Sequence, residues 1–179
     1  MITVSIVGAS GYGGGELLRL LLFHPEIEVK QVTSESLAGK PVGRAHPNLR
    51  KITPLKFSRM ADLESCDVLC AALPHGELMK RCEALFGLGD RIIDLSADFR
   101  LKDPEDYPKW YGHEHTHPEM LSQFVYGLPE LHRDEIRETK HVACTGCLAA
   151  TAILSLWPLA KAGAIDPTRM FLEGKIGSS

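Results

Sequence analysis

The sequence is short of net charge, of paired cysteines and of long apolar runs. Its 179 residues carry 20 Lys and Arg against 23 Asp and Glu, which gives a formal charge of −3. Because no basic excess attracts a phosphate backbone, we expect small molecules rather than nucleic acid as partners. No apolar run approaches the roughly 20 residues of a membrane span, and the first residues lack the basic region of a secretory signal. We therefore expect a cytoplasmic protein that does not bind membranes.

Cysteine is too scattered for a disulfide framework. The five cysteines are an odd number, spread through strand-like and helix-like segments at Cys66, Cys70, Cys82, Cys144 and Cys147. We expect free thiols.

Apolar strand-like runs alternate with helical patterns along the chain. The strand-like runs are 2–7, 28–33, 67–73, 91–95 and 141–144. Helical patterns occur at 14–23, 77–88, 130–138 and 147–162, the last followed by Gly163 at a C-cap position. This alternation predicts an α/β fold with a doubly wound parallel sheet covered on both faces. Residues 96–123 lack a period and predict a long loop, and residues 170–172 predict a further strand.

A glycine-rich turn joins the first predicted strand to the first predicted helix. Gly8, Gly11 and Gly14 have the spacing GxxGxxG, a variant of the dinucleotide fingerprint. Such glycines let the backbone approach a pyrophosphate, which the free N–H groups of the helix N terminus bind. The turn predicts a dinucleotide site, and the competing interpretation is a turn whose glycines serve packing alone.

The residues after the second predicted strand bear on the choice of dinucleotide. Ser34 and Ser36 could hydrogen-bond a 2′-phosphate, whereas Glu35 would repel it if its side chain turned inward. The sequence leaves NADP slightly favoured over NAD.

Cys147 follows a short predicted strand and begins a predicted helix. A thiol in that position lies at the positive end of the helix dipole, which favours the thiolate, so Cys147 is the candidate nucleophile. Cys144 and Cys147 could instead form half of a zinc site, but the sequence has no second CxxC pair. The two cysteines could also be a redox pair of the thioredoxin type or buried fillers, and we prefer the filler role for Cys144.

Further candidate residues follow predicted strands or lie in the long loop. Pro74 and His75 end a strand at the carboxyl edge of the sheet, where they could line a cofactor cleft or merely form a turn. Arg100 could bind a substrate carboxylate or phosphate, or it could pin the loop together with Asp98. Alternating histidines, as in the loop segment His113-Glu114-His115-Thr116-His117, are more often solvated surface than a metal site, so no metal is expected.

Four motifs follow the glycine turn in a fixed order. They are Leu73-Pro74-His75-Gly76, Asp94-Leu95-Ser96-Ala97-Asp98-Phe99-Arg100, Val125-Tyr126-Gly127-Leu128-Pro129-Glu130 and Gly146-Cys147. With these motifs the chain resembles the N-acetyl-γ-glutamyl-phosphate reductase family. That family includes the similar reductase of aminoadipyl phosphate carried by the LysW protein. The segments His46-Pro47-Asn48-Leu49-Arg50 and Leu101-Lys102-Asp103-Pro104 favour the LysW branch.

The resemblance implies a Rossmann-type NAD(P)-binding domain at residues 1–146 and the beginning of an α+β catalytic domain at residues 147–179. It implies NADPH-dependent reduction of an acyl phosphate to a semialdehyde, in arginine or lysine biosynthesis, with Cys147 as the nucleophile. The substrate is then a small molecule or is bound to a carrier protein, and a homo-oligomer is expected. The residues implied at the cofactor are Ser10, Gly11, Tyr12, Gly13, Ser34, Glu35 and Ser36.

The chain also departs from the family pattern. Leu148 and Ala149 follow the cysteine where relatives often carry Tyr-Pro or Asn-Ala, and Glu35 stands where a basic residue is common in the lysine branch. Family members are longer, and the histidine paired with their cysteine comes from the later half, so we expect a catalytic domain that is cut short. Aspartate-semialdehyde dehydrogenase and a dinucleotide-binding module without catalysis are the competing functions.

Overall fold

A computed structural model describes residues 1–166 and 168–177. Within these residues the chain forms one seven-stranded sheet in the order β3-β2-β1-β4-β5-β7-β6, and every pair of neighbouring strands is parallel. The strands are β1 (Ile2–Val7), β2 (Ile27–Thr33), β3 (Phe57–Ser58), β4 (Cys66–Ala71), β5 (Gly89–Asp94), β6 (Phe124–Gly127) and β7 (His141–Cys144). The helices are α1 (Tyr12–Leu21), α2 (Cys82–Leu85), α3 (Asp106–Tyr111), α4 (Pro129–Glu138) and α5 (Cys147–Lys161).

Adjacent residues of the central strands pack into two different apolar clusters. On β4, Leu69 and Ala71 belong to a cluster that contains Phe99 and Tyr107, whereas Cys70 belongs to a cluster that contains Leu18 of α1. Because successive side chains of a strand point to opposite faces, both faces of the sheet are covered. The predicted doubly wound α/β fold is confirmed.

From the neighbouring strands β1 and β4, the strand order continues outward in opposite directions. β1 is followed on one side by β2 and β3, and β4 is followed on the other side by β5, β7 and β6. In doubly wound sheets the carboxyl ends of the strands at such a switch point border the crevice in which ligands bind. The loops that follow β1 and β4 are therefore the place to look for a ligand site.

The helix predicted at 77–88 is largely wrong. Only Cys82–Leu85 is α-helical, followed by a 3₁₀ turn at Phe86–Leu88. Gly76 has a φ of +82°, and the Asp98 carboxylate accepts hydrogen bonds from the N–H groups of Gly76 at 2.6 Å and Met79 at 3.0 Å. These hydrogen bonds hold residues 76–81 in turns. The spacing of apolar residues, on which the helix prediction rests, gives no sign of such contacts.

The segment predicted as one long loop is more ordered than expected. Residues 96–123 contain α3 and a 3₁₀ turn at Pro118–Gln123, and β6 follows directly. Tyr107 of α3 is fully buried, and its hydroxyl donates a hydrogen bond to the backbone carbonyl of Asp98 at 2.7 Å. β3 escaped prediction because two residues are too few for a readable period, whereas β6, as long as the predicted β7, directly follows the segment that lacks a period.

The last described residues differ from the rest of the chain in their exposure. No strand forms at 170–172, where Phe171 is 92% exposed and pairs with no described strand. α5 has no buried residue, and it exposes Leu148, Leu154, Trp157 and Leu159. Among the helices of the described residues, none combines the length and the apolar character that crossing a membrane requires.

Candidate functional site

Two glycines of the turn after β1 are required by the fold itself. Gly8 has a φ of +79°, and a Cβ added to it would lie 2.4 Å from the carbonyl oxygen of Ala72. A Cβ on Gly14 would lie 2.7 Å from the Cα of Ala9. Both distances are far inside van der Waals contact, so these positions exclude any side chain. Gly8 and Gly14 let the turn and α1 pack against the sheet.

At Gly11 and Gly13, by contrast, the fold leaves room for a side chain. A Cβ on Gly11 would meet its nearest atom at 3.7 Å, and a Cβ on Gly13 would meet nothing within 4 Å. The space above them opens onto the N terminus of α1, where the amides of Tyr12, Gly13 and Gly14 precede the first residue able to bond within the helix. An open space at amides that have no partner among the described residues fits a pyrophosphate.

Serine hydroxyls connect this turn to the end of β2. Ser10 Oγ donates to Ser34 Oγ at 2.8 Å, and Ser34 Oγ lies 3.5 Å from Ser36 Oγ. The Gly8 N–H also donates to Thr33 Oγ1 at 3.3 Å. The structure therefore brings together the two segments, 8–13 and 34–36, that the sequence assigned to one site.

Glu35 does not share the hydrogen bonds of its serine neighbours. Its Oε1 accepts a hydrogen bond from the Met60 N–H at 2.8 Å, at the first residue of the 3₁₀ turn Met60–Asp62. The expected repulsion of a 2′-phosphate depended on a carboxylate turned toward the serines. In this arrangement the carboxylate is instead bonded to the backbone that follows β3.

A cleft of about 920 Å³ lies at the carboxyl edge of the sheet. Its walls come from α2 and from the loops after β2, β3 and β4, and they include Glu35, Met60, Leu63, Leu73, Pro74 and His75. The volume and the mixed apolar and polar lining are typical of a small-molecule or cofactor site. Pro74 and His75 thus line the same cleft as Glu35.

His75 also has a structural bond. Its Nδ1 accepts a hydrogen bond from the Ala97 N–H at 3.0 Å, so the neutral ring carries its proton on Nε2. The ring lies edge-on to Tyr111, with the centroids 6.3 Å apart. The two roles considered for His75, lining the cleft and forming a turn, are therefore compatible.

The histidines at 113–117 point to different partners. His115 is buried, and its Nε2 donates to the carbonyl oxygen of Asp98 at 2.7 Å. Burial lowers the pKa of His115. His117 lies 3.1 Å from the carboxylate of Glu119, and His113 Nδ1 lies 3.2 Å from the carbonyl oxygen of Glu114. In the part of the chain that the structure describes, no three His, Cys, Asp or Glu side chains are grouped to hold a metal ion.

Arg100 is anchored between the carboxyl ends of β5 and β7. Its Nε donates to the carbonyl oxygen of Cys144 at 2.6 Å, and its Nη2 donates to that of Leu95 at 3.1 Å. The Nη1 atom lies 3.3 Å from the position that a Cβ on Gly146 would take. The guanidinium is thus fixed against the residue that precedes Cys147, with its third nitrogen on that side.

Cys147 is the first residue of α5, and it is exposed. Gly146 at the N-cap offers no side chain to cap the helix, so the amides of the first turn stay available. Cys144 lies at the end of β7, and burial raises the pKa of its thiol to about 11. Of these two thiols, only Cys147 is open to an incoming reactant.

The turn that leads to Cys147 is fixed by β6. The Tyr126 hydroxyl bonds to Thr145 Oγ1, and the Thr145 N–H donates to the carbonyl oxygen of Gly127 at 3.5 Å. Gly127 is a required glycine, because a Cβ on it would lie 2.9 Å from the Cα of Cys144. The motif at residues 125–130, which contains Tyr126, therefore has a positioning role that the sequence did not reveal.

Asp94 is a buried acid that the sequence analysis left without a role. Its Oδ1 accepts a hydrogen bond from the Ser96 N–H at 2.7 Å, while Oδ2 has no partner among the described residues. Burial raises its pKa to about 6, despite the opposing effects of the Ser96 hydrogen bonds and the Arg100 charge. The available signal was an acidic residue at the end of an apolar strand.

The sheet, the glycine turn and the cleft at the carboxyl edge define a nucleotide-binding domain of the Rossmann type. Residues 3–139 match the family model described as semialdehyde dehydrogenase, NAD binding domain. The chain belongs to this family.

Curated relatives confirm the resemblance read from the motifs. The chain is 53% identical over 177 residues to the LysW-L-2-aminoadipate 6-phosphate reductase of Deinococcus radiodurans, covering 99% of this chain and 51% of the relative. It is 50% identical over 184 residues to the N-acetyl-gamma-glutamyl-phosphate reductase of Methanopyrus kandleri, covering 100% of this chain and 53% of the relative. The chain thus spans about half the length of the curated relatives it matches.

Solved structures support the fold. Aspartate semialdehyde dehydrogenase II from Vibrio cholerae matches with a TM-score of 0.62 at 18% identity, over 90% of this chain and 47% of that one. The Candida albicans aspartate semialdehyde dehydrogenase, solved with NADP, matches with a TM-score of 0.60 at 15% identity, over 92% and 48% of the two chains. At these identities the likeness concerns the fold.

Proposed function

We propose that the chain is the cofactor-binding half of an enzyme that reduces an acyl phosphate to its semialdehyde with NADPH, through a thioester on Cys147. The substrate is N-acetyl-γ-glutamyl phosphate or LysW-bound aminoadipyl phosphate, in arginine or lysine biosynthesis. The observation that carries the proposal is the exposed Cys147 at the start of α5, beside an Arg100 held by two carbonyl groups. The names of the curated relatives support this substrate class.

Residues at the carboxyl edge of the sheet would hold the cofactor. Gly8, Gly11 and Gly13, with the first-turn amides of α1 and the exposed Tyr12, would surround the pyrophosphate. Ser10 and the segment 34–36 would face the adenosine ribose, and Pro74 and His75 would line the cleft. The two open glycines support this fit, since the fold gives no other reason for them. When bound, NADPH supplies the hydride that converts the thioester to the semialdehyde and frees the thiolate.

Cys147 would perform the covalent step. Its thiolate attacks the carbonyl carbon of the acyl phosphate, a C–S bond forms, and the C–O bond to phosphate breaks as inorganic phosphate leaves. The thioester that results accepts hydride far more readily than a carboxylate would. First-turn amides of α5 would stabilise the oxyanion during attack. Arg100, oriented by its bonds to Cys144 and Leu95, would bind an anionic group of the substrate.

We further propose that residues 1–146 form the cofactor-binding domain and that α5 begins a catalytic domain at residue 147. Two observations support this division. Relatives extend to about twice the length of this chain, and α5 exposes apolar side chains that another layer of protein would cover. The general acid or base of the reaction would belong to that layer.

The test is the intact mass of the full-length gene product after incubation with acyl phosphate and without NADPH. We expect an acyl adduct that maps to Cys147, whose mass shows which substrate was accepted. Cys144→Ser is the matched control and should still form the adduct, whereas Cys147→Ser should not. If stable substrate gives no adduct while NADPH still binds, the chain is a dinucleotide-binding module without this catalysis.

A further inference from the structure

Among the described residues, no Lys or Arg side chain forms a hydrogen bond with the hydroxyl cluster beside the glycine turn. Ser34 Oγ lies 2.8 Å from Ser10 Oγ and 3.5 Å from Ser36 Oγ, and Glu35 lies between Ser34 and Ser36 in sequence. Hydroxyl groups alone bind a dianionic phosphate weakly, and such sites usually add an arginine or lysine. A preference for NADPH therefore requires a basic group from another element.

We propose that Arg59 is this group and that it selects NADPH over NADH by binding the 2′-phosphate. The inference rests on the proposed function. Arg59 directly follows β3, the short edge strand that pairs with β2 in the register Val32 with Phe57 and Thr33 with Ser58. The next pair in this register joins Ser34 to Arg59.

A hydrogen bond beyond the strands supports this pairing. The Ser34 N–H donates to the carbonyl oxygen of Ser58 at 3.0 Å, which is the bond that a parallel ladder forms when Ser34 lies opposite Arg59. Residues directly opposite one another in a sheet have their side chains on the same face. Arg59 therefore belongs on the face of Ser34, whose hydroxyl bonds to Ser10.

Glu35 lines the cleft, but its carboxylate is held by a backbone N–H. Its carboxylate accepts the Met60 N–H at 2.8 Å, so the backbone immediately after Arg59 holds the acid. Residues 59–60 would thus hold the Glu35 carboxylate through the Met60 N–H and supply the positive charge of the Arg59 side chain. This arrangement explains how a chain with Glu35 in its ribose loop could still prefer NADPH.

The surroundings of the Arg59 side chain leave it free to bind a phosphate. It is exposed, and in the ranges 1–166 and 168–177 it forms no ion pair with an acidic side chain. Its carbonyl oxygen accepts a bond from the Asp62 N–H at 3.1 Å, which fixes its backbone at the start of the 3₁₀ turn. A fixed backbone and an unpaired guanidinium suit the recognition of a phosphate.

The test measures the dissociation constants of NADPH and NADH for the full-length gene product and for Arg59→Gln. We expect the substitution to weaken NADPH by about 10- to 100-fold, the usual contribution of a charged hydrogen bond, and to change NADH by less than about twofold. Adenosine 2′,5′-bisphosphate and ADP are simpler probes that should repeat the contrast. Arg133→Gln, an exposed arginine on α4, is the matched control and should change neither cofactor.

The outcomes separate this proposal from the function it rests on. If the wild type prefers NADPH and Arg59→Gln keeps the same preference, or weakens both cofactors equally, Arg59 does not bind the 2′-phosphate and the proposed function stands. A wild type that binds both cofactors equally also overturns the role of Arg59. If the wild type binds neither cofactor, the proposed function itself is wrong.

Discussion

Gly13→Ala should stabilise the fold and weaken cofactor binding at the same time. Gly13 lies in the first turn of α1, and an added Cβ would meet no atom within 4 Å. Alanine loses less conformational entropy than glycine in a helix, so the free energy of unfolding should rise by about 0.5–1 kcal/mol. The same methyl group would occupy the space through which a pyrophosphate reaches the first-turn amides. The dissociation constant of NADPH should therefore rise at least about tenfold, or about 1.4 kcal/mol.

Two matched variants isolate the cause. In Gly8→Ala the new Cβ would lie 2.4 Å from the Ala72 carbonyl oxygen at a φ of +79°, so the chain itself should lose about 2–4 kcal/mol of stability. In Gly87→Ala nothing lies within 4 Å, and the residue lies in the 3₁₀ turn Phe86–Leu88 rather than at the N terminus of α1, so NADPH binding should not change.

The assay combines denaturant unfolding with titration of NADPH fluorescence for the wild type and the three variants. The reasoning fails if Gly13→Ala binds NADPH as tightly as the wild type does. It also fails if Gly13→Ala is as unstable as Gly8→Ala, because the space around Gly13 would then be needed by the fold.

Three further predictions concern the other side of the site. Because the pKa of Asp94 rises from 3.8 to about 6, the folded chain binds more protons than the unfolded chain between these values, and stability should fall by about 2 kcal/mol as the pH rises from 4 to 6. Asp94→Asn should remove this fall from unfolding curves, and an unchanged pH profile would contradict it. Arg100→Lys keeps the charge but cannot form both carbonyl bonds. KM for the acyl phosphate should therefore rise at least about tenfold while the affinity for NADPH stays unchanged. An unchanged KM would exclude a role of Arg100 in substrate binding. Tyr126→Phe removes the bond to Thr145, and it should slow thioester formation by about 5- to 10-fold while leaving the NADPH dissociation constant unaltered, as rapid-quench measurements can check.

Elements with a repeating apolar or glycine pattern could be predicted from the sequence. Elements whose conformation depends on contacts with a few distant residues could not. Long apolar runs such as that of β1 predicted the sheet, and the spacing of Gly8, Gly11 and Gly14 predicted the turn. The helix at 77–88 was wrong because the Asp98 carboxylate, nineteen to twenty-two residues away in sequence, takes the amides of Gly76 and Met79. A contact of that kind leaves no periodic signal in the segment it reshapes.

The sequence selects candidate site residues but does not reveal the contacts between them. Cys147, Arg100 and the serines were selected by their chemistry and by their places at strand ends. The bonds from Arg100 to the Cys144 and Leu95 carbonyls, and the pairing of Ser34 with the residue after β3, depend on strand order. Neither β3 nor β6 was recognised as a strand, so the positions that these strands give to Arg59 and Tyr126 in the sheet could not be identified from the sequence.

Asp98 links the cleft to a distant part of the chain. Its carboxylate holds the amides of Gly76 and Met79, and its carbonyl oxygen accepts bonds from Tyr107 and His115. The wall of the cleft and the segment that contains α3 should therefore open together when they open at all. In hydrogen exchange, the amide protons of Gly76 and Met79 should exchange at one common rate, and Tyr107→Phe should accelerate both. On heating, the segment that forms this wall of the cleft should therefore unfold before the central strands of the sheet.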